Sequence, residues 1–166
     1  MLARPINALA PAVVANEAKR IGAWLVHYST DYVFDGSGKA PRLETDVTAP
    51  LSVYGQTKLE GETAIVASGC KHLILRTSWV YAARGANFAK TMLKLAQERD
   101  ALKIIDDQIG ASTGDDLLAY VTAHVIRNAL ISPEVSGLYH TVASGETSWC
   151  CYAKFVIEYR SEIQRS

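Results

Sequence analysis

Short apolar runs that alternate with longer amphipathic stretches constrain the fold of this chain most strongly. The run Trp24–Tyr28 is almost wholly apolar, and His72–Arg76 has a similar apolar centre. Strands covered on both faces have this pattern, as in parallel sheets. Stretches with apolar residues at helical spacing lie before, between and after the two runs. This alternation predicts an α/β domain with a parallel sheet and flanking helices.

The remaining elements follow from the same patterns. Helices are predicted over Pro11–Arg20, from a Ser52 cap to about Ser68, from Phe88 to near Arg99, after Asp115-Asp116 and after a Ser148 cap. Further strands are predicted at Leu102–Ile105 and Gly137–Val142. Residues 35–50 predict a long loop, and loops of this length usually carry function. No repeat or linker interrupts the sequence, so we expect a single domain over residues 1–166.

Charge and cysteine content favour an ordinary enzyme over more specialised classes. Seventeen basic residues balance seventeen acidic ones, so we expect no nucleic-acid partner and no anionic membrane partner. No apolar run approaches the roughly 20 residues that span a bilayer, and Met1–Pro5 lacks the apolar core of a secretion signal. The three cysteines predict no disulfide framework, so a cytoplasmic location is expected. The adjacent Cys150 and Cys151 lack further ligands at zinc-like spacing and are interpreted as ordinary thiols.

A tyrosine and a lysine four positions apart, Tyr54 and Lys58, are the first candidates for chemistry. On a helix they share one face. Tyrosine ordinarily has a pKa of about 10 and is a poor acid at neutral pH, but a nearby ammonium makes a phenol a better one. Thr30, at the end of the preceding strand, completes a trio that can protonate a carbonyl oxygen while a hydride arrives from elsewhere.

The sequence contains no G-x-G-x-x-G motif, which normally seats the pyrophosphate of a dinucleotide. The chain opens directly on a predicted helix. We therefore expect the phosphate-binding half of such a domain to be missing, and cofactor binding by these residues alone to be weak.

Several segments together carry a more specific resemblance: Asn7-Ala8, Val26–Gly36, Tyr54–Glu62, Leu75–Tyr81, Asn87-Phe88, Asp107-Gln108 and Gly110–Gly114. They resemble the dTDP-4-dehydrorhamnose reductase family of the extended short-chain dehydrogenase/reductase superfamily, from about Asn7 to Tyr159. The resemblance implies a partial Rossmann-like sheet and part of a small substrate-binding lobe. It also implies the family's reaction, in which NADPH, or NADH, reduces the C4 ketone of dTDP-4-dehydro-L-rhamnose.

The resemblance assigns roles to five residues. Tyr54 would be the general acid and, with Lys58, would contact the cofactor, Lys58 through the nicotinamide ribose. Thr30 would hydrogen-bond the substrate oxygen. Asp31 and Trp79 would contact the dTDP-sugar. The structural alternatives are that Asp31 only closes a turn after the strand and that Trp79 only packs in the core.

Other features of the resemblance are weaker. Asp116 falls where some family members bind magnesium between subunits. The other ligands of that site lie outside this chain, so we expect no metal here. A homodimer is compatible with the family. Ser112 replaces a usual proline, and Arg160–Ser166 departs from the family pattern. His27 and His140, inside apolar strands, are interpreted as core histidines.

Two other functions are open, and the first of them uses the same Tyr–Lys pair. A sugar-nucleotide epimerase or dehydratase of the same superfamily would return the hydride and keep its NAD. A non-catalytic relative, such as the regulatory subunit of methionine adenosyltransferase, would bind a partner without turnover. The segments around Thr30 and Trp79 favour the reductase over the epimerase or dehydratase, and titration with NADPH would separate it from the non-catalytic relative.

Overall fold

The computed structural model describes the backbone of residues 2–163 and the side chains of residues 2–160. Their contacts define two compact units. The first contains residues 2–77 and 121–141, and the second contains residues 78–120 and 142–163.

The first unit contains a three-stranded parallel sheet. Its strands are β1 (Trp24–Thr30), β2 (Lys71–Thr77) and, after three short strands of the second unit, β6 (Gly137–His140), in the spatial order β1-β2-β6. In the register of β1 and β2, Thr30 lies opposite Thr77. Both threonines end their strands, so Thr30 lies at the carboxyl edge of the sheet, as predicted, where open α/β sheets bind ligands.

Two helices of the first unit are close to their predicted bounds. Helix α1 (Ala10–Ile21) follows a π-helical turn over Pro5–Leu9 and ends at Gly22, whose φ of 70° is left-handed. Helix α2 (Val53–Ser68) begins at Ser52, whose Oγ accepts a hydrogen bond from the Gly55 N–H at 3.1 Å. The Ser52 cap was therefore a reliable start signal.

The core of the first unit lies between these helices and the sheet. Its buried members are Ala15, Ala18, Ile65, Cys70 and Ile74. Strand β2 is central, and Leu73 to Leu75 are at most 1% exposed. Strand β1 is an edge strand within the described residues, so Trp24–Tyr28 is only partly buried and Tyr28 is 43% exposed. Val13 of α1 is 63% exposed, so this helix carries apolar surface.

The predicted strand at Leu102–Ile105 is wrong. These residues form no regular secondary structure and pair with no strand within residues 2–163, and Leu102 and Ile104 are half-buried near Met92 and Leu95. Apolar alternation predicts that one side of a segment is covered, but it does not supply a hydrogen-bonding neighbour. The third strand of the sheet is instead Gly137–His140, within the predicted run Gly137–Val142.

The second unit is built from helices and two small strand pairs. Strands β3 (Val80–Tyr81) and β5 (Thr113–Gly114) are parallel, whereas β4 (Ile109–Gly110) and β7 (Thr147–Ser148) are antiparallel. Helices α3 (Phe88–Glu98) and α5 (Trp149–Ile163) pack on each other, and α4 (Asp115–Ile131) begins in this unit and ends in the first. Ser148 Oγ accepts from the Cys151 N–H at 3.0 Å, so the predicted cap is confirmed. Across residues 2–163, none of the helices has the length and apolarity needed to cross a membrane.

Two glycines let α2 approach other backbone closely. A methyl group on Gly55 would overlap the carbonyl oxygen of Tyr32 and touch Pro50, and one on Gly61 would overlap the carbonyl oxygen of Asn7. Glycine costs helix propensity at both sites. Close backbone contact is the reason that the helix contains glycine there.

We predict that Gly55→Ala and Gly61→Ala each lower the free energy of unfolding by about 1–3 kcal/mol, the range for overpacking. Helix propensity alone predicts a gain of about 1 kcal/mol for each substitution, so the sign of the change separates the two effects. Chemical denaturation measures it. Gln56→Ala, at an exposed position of the same helix, is the control and should stay within about 0.5 kcal/mol of wild type.

Candidate active site

The end of β1 carries the first two candidate residues. Thr30 is 5% exposed; its Oγ1 accepts from the Tyr32 N–H at 3.2 Å and donates to Asp31 Oδ1 at 3.1 Å. Asp31 opens a 3₁₀ turn, Asp31–Val33, which the Phe34 N–H closes on the Asp31 carbonyl at 3.0 Å. Burial raises the pKa of Asp31, and the hydrogen bond from Thr30 opposes that shift. Asp31 therefore has a structural role in the turn while its carboxylate stays beside Thr30.

Tyr54 lies in the first turn of α2 and is 48% exposed. Its ring meets the ring of Tyr32 edge to face, with centroids 6.0 Å apart and planes at 74°. Tyr32 is two residues beyond Thr30. The phenol predicted to be the acid is therefore solvent-accessible and packs on the segment that carries Thr30 and Asp31.

Lys58 lies one turn further along α2 and is only 9% exposed. Its Nζ donates to the Tyr28 carbonyl oxygen at 2.5 Å and lies 3.1 Å from His27 Nε2. Burial lowers the pKa of Lys58, an effect that the Glu62 carboxylate opposes. Burial, and then the Lys58 charge, lower the pKa of His27 to about 4, so its imidazole is neutral at pH 7. Lys58 is then the donor in both contacts.

A buried ion pair lies one turn beyond Lys58. Arg76 of β2 donates to both carboxylate oxygens of Glu62, from Nε at 3.0 Å and from Nη2 at 2.6 Å. The two side chains are 6% and 4% exposed. Arg76 Cζ also lies 5.2 Å from the ring centroid of Phe34. A bidentate pair of this kind fixes both the distance and the relative orientation of the two side chains. It therefore holds α2 in position against the central strand β2.

One face of α2 therefore changes character along its length. Ile65 packs in the apolar core, Glu62 and Lys58 form a buried polar layer above it, and Tyr54 reaches the surface. On the strands, Leu25 and Ile74 belong to the apolar part, whereas His27 and Arg76 belong to the polar part. The Tyr54–Lys58 pair lies at the polar end of a continuous helix–sheet contact.

Sequence reasoning missed three residues of this layer. His27 was interpreted as a core histidine, yet its ring contacts the Lys58 ammonium. Glu62 and Arg76 received no role, although Glu62 follows Lys58 by four positions and thus shares its face. Arg76 at the end of an apolar run was the other signal, because a buried arginine requires a partner.

Trp79, the remaining candidate, belongs to the second unit. Its backbone is left-handed, with φ of 46°, and its indole stacks on Trp149 with centroids 3.6 Å apart. A Cβ on Gly110 would lie 2.7 Å from Trp79 Cε2, so glycine makes room for the ring. The ring of Phe88 packs on the ring of Trp149, with centroids 4.3 Å apart. Trp79 is thus part of an aromatic cluster, as the core interpretation predicts, while its side chain stays partly exposed. A strained backbone at an aromatic residue is common at functional sites.

No metal site is apparent in the part of the chain that the structure describes, where no three His, Cys, Asp or Glu side chains cluster suitably. Asp115 and Asp116 occupy the first turn of α4, where negative charge stabilises a helix. Cys70, Cys150 and Cys151 are free thiols.

Comparison with known proteins identifies the class of protein. A family model described as the RmlD substrate binding domain matches residues 1–165, and the chain belongs to this family. The chain is 60% identical over 156 residues to a dTDP-4-dehydrorhamnose reductase of Escherichia coli K12, covering 94% of this chain and 52% of that protein. It is 59% identical over 157 residues to the Salmonella typhimurium enzyme of the same name, and the match covers 95% of this chain and 52% of that protein.

Solved structures show the same relationship. A dTDP-4-dehydrorhamnose reductase from Clostridium acetobutylicum superposes with a TM-score of 0.90 at 41% identity, covering 96% of this chain and 55% of that one. The enzyme of that name from Bacillus anthracis, solved in complex with NADP, superposes with a TM-score of 0.84 at 38% identity. The match covers 96% of this chain and 56% of that one. The predicted α/β fold with a Rossmann-like parallel sheet is therefore confirmed. The chain spans about half the length of the curated relatives that it matches.

We predict that Glu62→Ala lowers the free energy of unfolding by about 3–5 kcal/mol, because it leaves the Arg76 guanidinium buried without its counter-charge. Replacing both partners, as Glu62→Met with Arg76→Met, should cost clearly less than the single change, since no unpaired charge remains. Chemical denaturation of the single and double variants tests this. A single-variant loss below about 1 kcal/mol, the range of exposed pairs, would contradict a buried pair.

We also predict a pH dependence of stability from His27. Its folded pKa of about 4 lies below the ordinary value of 6.5, so the unfolded chain binds more protons between these limits and stability falls as the pH drops through that window. The loss should be on the order of 2–3 kcal/mol by pH 4. His27→Gln cannot titrate and is the control, so the pH profile of wild type minus variant isolates this group from the carboxylates. A flat difference would mean that His27 is not desolvated.

Proposed function

We propose that this chain contains the chemical centre of a reductase that converts the C4 ketone of dTDP-4-dehydro-L-rhamnose to the alcohol of dTDP-L-rhamnose. NADPH is the proposed hydride donor, with NADH as the second choice. The observation that carries the proposal is the Lys58 ammonium, buried one turn below the accessible Tyr54 and held against β1 two residues before Thr30. The names of the relatives and the NADP complex of one of them support the substrate and the cofactor.

The donor set of Lys58 fits the nicotinamide ribose. An ammonium group has three N–H donors. Two point at the Tyr28 carbonyl and the His27 ring, which leaves one for a ribose hydroxyl. When bound, the nicotinamide supplies the hydride. The sequence has no glycine-rich turn for the pyrophosphate, so these residues account for the nicotinamide end of the cofactor alone.

In the proposed reaction, C4 of the sugar accepts a hydride and its oxygen accepts the Tyr54 proton, which converts the carbonyl to a secondary alcohol. The Lys58 ammonium, on the same helix face, stabilises the phenolate that Tyr54 becomes. The Thr30 hydroxyl proton now points at Asp31. Rotation towards the substrate oxygen would give that oxygen a second donor, and the Tyr32 N–H holds Thr30 Oγ1 in place.

The other roles extend the proposal. Asp31 and Trp79 would contact the dTDP-sugar, supported by the half-buried carboxylate beside Thr30 and by the partly exposed indole on a left-handed backbone. We also propose a cytoplasmic location, for which the free thiols are the support. A homodimer is proposed on the exposed apolar surface of α1. Residues 1–166 are proposed to form one domain, for which the single family model over residues 1–165 is the support.

We predict that Tyr54→Phe lowers the turnover of dTDP-4-dehydrorhamnose by about two to four orders of magnitude, the range for a positioned acid. The assay follows NADPH oxidation with the keto-sugar. It uses this chain, with the Escherichia coli relative as the positive control. Binding of dTDP-rhamnose should change little, because the ring is retained.

Tyr32→Phe is the matched control for this substitution. Tyr32 is a second exposed phenol in edge contact with Tyr54, and its loss should leave turnover near the wild-type rate. Near-normal turnover in Tyr54→Phe would remove Tyr54 as the acid. Turnover without net consumption of NADPH would instead show an epimerase or dehydratase, and binding without turnover would show a non-catalytic relative.

A further inference from the structure

His27 is the one titratable side chain of β1 that points into the layer beneath the candidate acid. It lies on the same face of the strand as Leu25, which packs on the α1–α2 core, whereas the Tyr28 hydroxyl lies 2.6 Å from Thr122 Oγ1 of α4. In register, His27 is opposite Ile74 of β2, and the next position on that face, Ser29, is opposite Arg76. The ring therefore lies where the apolar core gives way to buried charge.

The geometry around Lys58 defines what His27 does there. The Nζ to Nε2 distance of 3.1 Å is within hydrogen-bonding range, and the Tyr28 carbonyl takes a second Lys58 proton from the adjacent residue of the same strand. An ammonium held by two acceptors that are neighbours in one strand has a fixed position. A single acceptor would let the flexible lysine side chain swing.

The charged groups that face this contact agree with that arrangement. Lys58 and Glu62 are the charges that act on His27, and the carboxylate of Glu62 is itself bound by Arg76. Arg76 donates to both carboxylate oxygens of Glu62, and the Glu62 charge raises the pKa of Lys58. The neutral imidazole is then the direct side-chain partner of the ammonium.

We propose that His27 is a positioning residue for Lys58, whose ammonium donates a hydrogen bond to the unprotonated Nε2 of His27 and is thereby aimed at the cofactor-facing side of α2. The inference rests on the proposed reductase function for its meaning, but its geometry is testable without activity. It requires the imidazole proton on Nδ1. The tautomer of a histidine is set by the partner of the other ring nitrogen.

The first test is nitrogen NMR of the wild-type chain at neutral pH, which distinguishes the two ring nitrogens of His27. The expected result is a bare Nε2 and a protonated Nδ1. A protonated Nε2 would overturn the proposal, and this measurement needs no variant to fold.

The second test follows the titration of the Lys58 ε-methylene by carbon NMR, with the signal assigned by its loss in Lys58→Arg. His27→Leu removes the acceptor while keeping the site apolar, so the pKa of Lys58 should fall by a further one unit or more, roughly the effect of one hydrogen bond to a charged group. His27→Gln offers an amide oxygen and should restore the wild-type titration. His72→Leu, whose ring bonds the Cys70 carbonyl instead, is the control and should change nothing.

The last arm connects the contact to the reaction. In the NADPH-oxidation assay, the alkaline limb of the pH–rate profile should shift downward in His27→Leu by the same amount as the Lys58 titration, and should return in His27→Gln. An unchanged Lys58 titration in a folded His27→Leu chain overturns the inference and leaves the reductase intact. The expected tautomer and titration in a chain without NADPH oxidation would support the inference while the proposed reaction fails.

Discussion

The buried ion pair between Glu62 and Arg76 is the interaction on which the rest of the site depends. A carboxylate and a guanidinium at 4% and 6% exposure have lost most of their hydration, which is costly unless the two groups face each other directly. The two hydrogen bonds of this pair leave little freedom for the rotation of α2 about its axis or for its position along β2. Once Glu62 is fixed, Lys58 one turn away must face β1, and Tyr54 must emerge beyond it.

Backbone contact at two glycines fixes the same helix from its sides. Gly55 lies against the Tyr32 carbonyl, in the segment that follows Thr30, and Gly61 lies against the Asn7 carbonyl. The Asn7 side chain also donates to Thr57 Oγ1 at 3.1 Å. These contacts hold α2 close to the end of β1, so the distance between the Tyr54 helix and the Thr30 strand is set by backbone atoms that no side-chain motion can change.

Much of the fold could be predicted from the sequence because its signals are local. The Ser52 cap located the start of α2, and the apolar centre of His72–Arg76 located the central strand. The strand predicted at Leu102–Ile105 was wrong because pairing is a long-range property. These residues have a strand-like pattern but pair with no strand in the described part of the chain, whereas Gly137–His140 pairs with β2. Within the site, residue type and spacing along the sequence were enough to identify Thr30, Tyr54 and Lys58 as candidates. The contact of His27 with Lys58 joins positions 31 residues apart, so no periodicity in either segment could show it.

The polar layer also explains how the buried Lys58 can stay charged. Desolvation alone would push Lys58 towards the neutral form, which could neither hold a ribose hydroxyl as a charged donor nor stabilise a phenolate. Three features oppose that tendency: the Glu62 charge, the Tyr28 carbonyl and the His27 ring. The carbonyl and the imidazole are neutral acceptors, so they favour the ammonium without cancelling its charge. A second carboxylate in place of His27 would have paired with Lys58 and drawn its field away from Tyr54. A histidine made neutral by its own burial therefore suits a site in which the lysine must stay charged, stay in place and still act on the phenol one turn above.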